Sequence, residues 1–91
     1  MARIEEELVF AKQAKAAIEG KLTEQAIKVL REATRIAMEQ VVFSGEGPLR
    51  DARHNVGVGL PPMTGAQNQD NIDKAKSAIE AWIKELEAAK P

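Results

Sequence analysis

Cysteine is absent from the 91 residues. No disulfide framework, thiolate metal site or thiol nucleophile can therefore be built. Tyrosine is absent too, and the aromatic set is Phe10, Phe43 and Trp82. Histidine occurs once, as His54, with no ExxH or HxxxH spacing around it. A histidine-based metal site would need acids such as Glu46 and Asp51 brought to it by folding of the loop, and any Ser-His-Asp relay would have to use this one histidine. Ser44 and Ser77 lack a GxSxG context, and no GxxxxGK[ST] phosphate loop is present. The sequence thus offers no catalytic residues, no metal ligands and no cofactor site. It leans away from an enzyme.

Long apolar runs are also missing. Nothing approaches the ~20 residues of a membrane span. The opening Met1-Ala2-Arg3-Ile4-Glu5-Glu6-Glu7 lacks the basic-then-apolar layout of a secretory signal. The expected compartment is the cytoplasm, with no membrane partner. Excess charge of one sign is missing as well: 13 Lys and Arg face 14 Asp and Glu, a net charge of −1. A general nucleic-acid partner needs a basic footprint that this chain does not have.

What is present is helical. Alanine, glutamate, lysine and glutamine dominate residues 2–19, and these lose little entropy in a helix. Glu5, Glu6 and Glu7 sit in its first turns as solvent-facing partners of the helix dipole. Gly20 stops this helix, and Gly20-Lys21-Leu22 is short enough to turn the chain back on itself. Thr23 caps a second helix, 23–43, ended by Ser44-Gly45. Asp70 caps a third, 71–89. Between them, 44–70 holds most of the glycines and three of the four prolines. That density predicts a loop, with room for one helical turn from Pro48 to His54. The expected architecture is all-α and a single domain, 1–91. It is an antiparallel helical hairpin plus a third amphipathic helix after a long Gly/Pro-rich loop, completed as a homo-oligomeric bundle.

The oligomer follows from where the apolar residues fall at ~100° per residue. The third helix is one-sided: Ile72, Ala75, Ile79, Trp82, Ile83, Leu86 and Ala89 share a stripe. The second helix is apolar over more than half its girth. Ala26, Leu30, Ala33, Ala37 and Val41 form its centre, with Val29, Ile36 and Phe43 on one flank and Ile27 and Met38 on the other. The first helix aligns Ile4, Leu8, Ala11 and Ile18 but also carries Val9 and Phe10 elsewhere. A chain of this length buries only roughly 60–65% of its unfolded surface. Val9, Phe10, Ile27, Val29, Ile36, Met38 and Phe43 are therefore the candidates for an interface with further copies.

One string suggests a ligand. In Arg50-Asp51-Ala52-Arg53-His54, a helical turn would bring Arg50, Arg53 and His54 to one side by i, i+3, i+4 spacing. Two guanidinium forks and an imidazole suit a carboxylate or phosphate. The opposing expectation is that the arginines pair with acids of the first two helices and pin the loop down.

Two functions compete. The first is a non-enzymatic assembly subunit that self-associates through helix faces and presents 44–70 to a partner, either itself or another protein. The second is a small helical enzyme or regulator holding an anionic small molecule through Arg50, Arg53 and His54.

Overall fold

Helices make up most of the computed structural model, which describes residues 4–21, 23–59 and 69–89. In chain order they are α1 (Ile4–Glu19), α2 (Glu24–Val42), α3 (Pro48–Gly59) and α4 (Gln69–Ala89). No strand occurs among the described residues, and the chain is all-α there. Residues 2 and 3 of the expected first helix, Leu22 of the expected turn and residues 60–68 of the expected loop lie outside the described residues.

The local chemistry explains the boundaries. The Thr23 hydroxyl accepts a hydrogen bond from the Ala26 N–H at 3.2 Å, the capping geometry expected of it. At the other end of α2, Phe43 and Ser44 donate backbone N–H groups to Gln40 and Val41. The Ser44 hydroxyl then donates to the Gln40 carbonyl at 2.7 Å. Asp70 is not the cap of α4, because the helix begins one residue earlier. Gln69 folds over that first turn and donates to the Asp73 carboxylate at 2.9 Å.

The larger departure is α3. Twelve helical residues stand where a loop with one turn was expected. Gly47 enters at φ +149°, a conformation closed to side-chain-bearing residues, and its carbonyl accepts from the Asp51 N–H. Pro48 follows at the first helical position, where its missing N–H costs nothing. Past that start, tertiary burial of Ala52, Arg53 and Val56 carries the helix through Gly57.

Packing is cyclic. α1 lies against α2 and α4, α3 lies against α2 and α4, and the diagonal pairs do not approach at the backbone. The core is thin in bulk, as the composition implies. Trp82, Leu8, Leu30, Ile79, Leu86 and Val56 fill it, and Ala11, Ala14, Ala33, Ala37 and Ala75 let the helices close on them. The long axis measures 34 Å. At 1.5 Å per residue α4 runs about 32 Å and α3 only about 18 Å. α3 therefore walls little more than half of the bundle.

Candidate functional site

Two charged side chains sit inside this core. Glu7 is 2% exposed and Arg53 is 5% exposed. They belong to α1 and α3, the diagonal pair whose backbones stay apart, so the contact is made by side-chain reach alone. Arg53 Nε donates to Glu7 Oε2 at 2.8 Å, and its Nη2 to Oε1 at 2.5 Å. This is the two-pronged arginine–carboxylate pairing. Trp82 Nε1 from α4 donates to the same Oε2 at 2.7 Å. The remaining Arg53 nitrogen, Nη1, donates to Ser44 Oγ. Ser44 in turn is tied to the end of α2. All four helices meet at this knot, and no buried side-chain polar atom among the described residues is left without a partner.

Glu7 is therefore not the solvent-facing dipole partner its position in the Glu5–Glu7 run suggests. It shares a side of α1 with Ala11, Ala14 and Ile18, at spacings of four, three and four. Arg53 is likewise on the Leu49–Ala52–Val56 side of α3. Its guanidinium is spent on Glu7 and Ser44, so it does not stand beside Arg50 and His54.

Arg50 and His54 point the other way. They line an open depression of about 450 Å³ between α2 and α3, together with Val41, Glu46, Gly47 and Asp51. Two acids and two bases share it, which gives an anion no net attraction. Among the described residues, no group of three or more histidine, cysteine, aspartate or glutamate side chains could hold a metal ion.

The apolar interface candidates divide. Ile36 is buried at 8% exposure within its own chain, so it offers no free surface. Ile27 and Val29 are half-buried. Val9, Phe10, Met38 and Phe43 stay exposed, Phe43 at 78%. Sequence reasoning missed Val42, 79% exposed, and Val58, also exposed. Both were readable only once their neighbours in space were known. Met38 lies on Gly57: a Cβ added there would stand 2.0 Å from its sulfur. That flank of α2 thus faces α3, and the opposite flank, bearing Val29, Ile36 and Phe43, faces α1.

Beyond these residues α2 carries a charged outer strip, Lys28, Arg31, Glu32, Arg35 and Glu39, all exposed. Arg35 pairs with both Glu32 and Glu39 of its own helix. Its hydrogen bond holds the Glu32 carboxyl below the ordinary carboxylate range, and Glu32 raises Arg35 in return.

Compared with protein-family models, with curated proteins and with solved structures, the chain matches none significantly. Its class rests on its own architecture, a four-helix all-α fold over the described residues. No helix among them is long and apolar enough to cross a membrane.

Proposed function

We propose that this chain is a non-catalytic interaction subunit that self-associates through the outward face of an antiparallel α1–α2 hairpin. The observation that carries the reading is Val42-Phe43, two adjacent apolar side chains about four-fifths exposed at the end of α2. Single exposed apolar residues are ordinary, but here two stand side by side, with Phe10 also exposed on α1. Such a patch fits an apolar surface of a partner. The Arg50–His54 edge of α3 then remains as a polar contact for a further protein. The lack of cysteine suits a reducing cytoplasm.

Sedimentation velocity from about 1 to about 100 μM tests the reading. The wild-type chain is expected to shift toward a dimer or higher species across that range. Phe43→Asp is expected to remain a monomer with an unchanged helical circular-dichroism spectrum, since Phe43 contributes little to its own core. A wild-type chain that stays monomeric throughout defeats the proposal.

A further inference from the structure

Sulfur enters this chain only as methionine, and Met38 is the one methionine among the described residues. Its thioether lies along the backbone of Gly57 on α3. A Cβ on residue 57 would fall on the Met38 sulfur, with Cγ 2.6 Å and Cε 3.5 Å away. The glycine leaves a seat, and the Met38 side chain fills it. Met38 is nonetheless 41% exposed, so a small oxidant in solution reaches it.

The seat holds the helix with the weakest intrinsic preference, α3, with Asn55, two glycines and two valines. Arg53 anchors its middle through Glu7 and Ser44. One turn further on, Asn55 and Val58 border an open depression of about 490 Å³ between α3 and α4. Buried Val56 and the Met38 seat are what grip that turn.

We propose that Met38 is a redox-modification site, oxidised by hydrogen peroxide, whose conversion to the sulfoxide unseats α3 from α2 while α1, α2 and α4 stay packed. The sulfur attacks one peroxide oxygen. The S–O bond forms as the O–O bond breaks, and the other oxygen leaves as water with both protons. The sulfur loses two electrons and the peroxide gains them. The product is polar and accepts hydrogen bonds. The Gly57 N–H is already committed to the helix ladder, so the new oxygen finds no donor there. The apolar contact is lost and an unmet acceptor takes its place. Thiol-dependent reductases reverse the step, releasing water and forming a disulfide on the reductant, so the device resets.

Trp82 supplies the reporter, being the one tryptophan and bonded through Glu7 to Arg53 of α3. The full chain is treated with hydrogen peroxide, and Met38 sulfoxide is quantified by peptide mass spectrometry. Once Met38 is oxidised, acrylamide is expected to quench Trp82 about twofold more strongly or better. The α3 amides are expected to exchange about tenfold faster, with those of α1 and α4 unchanged. Methionine sulfoxide reductase is expected to restore both readouts. Met38→Leu fills the seat without an oxidisable sulfur and is expected to hold both constant under peroxide, which separates Met38 from Met1 and Met63. Met38→Gln, polar without any oxidant, is expected to behave as the oxidised chain does. A Met38 sulfoxide that leaves quenching and exchange as they were overturns the proposal. So does a Met38 sulfur that resists peroxide while Met1 and Met63 oxidise. Loss of protection in all four helices together also overturns it, because α3 would then not move alone.

Discussion

The carboxylate of Glu7 is out of water with three donor nitrogens arranged around it, and the energetics of that burial decide what its removal does. Desolvating two charges costs several kcal/mol each, offset here by the paired guanidinium contacts and the indole N–H. Removing one partner strands the other. Arg53→Met leaves Glu7 with Trp82 alone and is expected to cost about 3–5 kcal/mol in urea unfolding, a large share of the ~5–14 kcal/mol typical of a chain this long. Glu7→Met with Arg53→Met together is expected to recover most of that loss, because an apolar pair of similar volume needs no partner. If the double variant is as unstable as the two single losses added, the pair is not the coupled unit described here. Glu7 was legible in the sequence, by its spacing to Ala11, Ala14 and Ile18. Three successive glutamates at a helix start drew attention to the dipole instead. The pairing to Arg53 was legible only as a general option, since nothing local says which acid a loop arginine will reach.

At the scale of elements, α3 is where local and tertiary signals conflict. Gly57, Gly59, Asn55 and two valines each favour helix weakly, and the glycine-proline surroundings read as loop. Burial of Ala52, Val56 and Arg53 overrides that preference, which is why α1, α2 and α4 were legible nearly to their ends and α3 was not. A helix held chiefly from outside is expected to open first. In native-state hydrogen exchange, the α3 amides should lose protection well before those of α1, α2 and α4. The close approach to α2 supplies a control. Met38 Cγ lies 2.6 Å and its Cε 3.5 Å from where a Cβ on residue 57 would stand, the Cβ of Met38 being farther than either. That puts the two Cβ atoms about 3.5–4.1 Å apart, within the range of an unstrained disulfide. Met38→Cys with Gly57→Cys, in a chain with no other thiol, is expected to bring α3 protection up to that of its neighbours once oxidised. Equal protection across all four helices in the wild type would show that α3 opens only with the whole fold.

For the molecule as a whole, composition alone foretold an all-α chain with an alanine-rich, thin core, and the cyclic four-helix packing realises both. The number of helices depended on α3 and could not be counted beforehand. The same thinness links assembly to stability. If folded chains pair through α2 while unfolded chains do not, mass action ties the melting temperature to concentration. Each tenfold rise in concentration above the dissociation constant adds about 1.4 kcal/mol per dimer, or about 0.7 per chain. A domain of this size moves by roughly 4–8 °C per kcal/mol, so the melting temperature should climb by about 3–6 °C per decade. Differential scanning calorimetry at several concentrations measures the slope directly. Phe43→Asp should flatten it without lowering the dilute-limit melting temperature, because Phe43 lies mostly in water in the single chain. A flat wild-type profile would mean that α2's exposed ridge ends in solvent and the chain folds and functions as one copy.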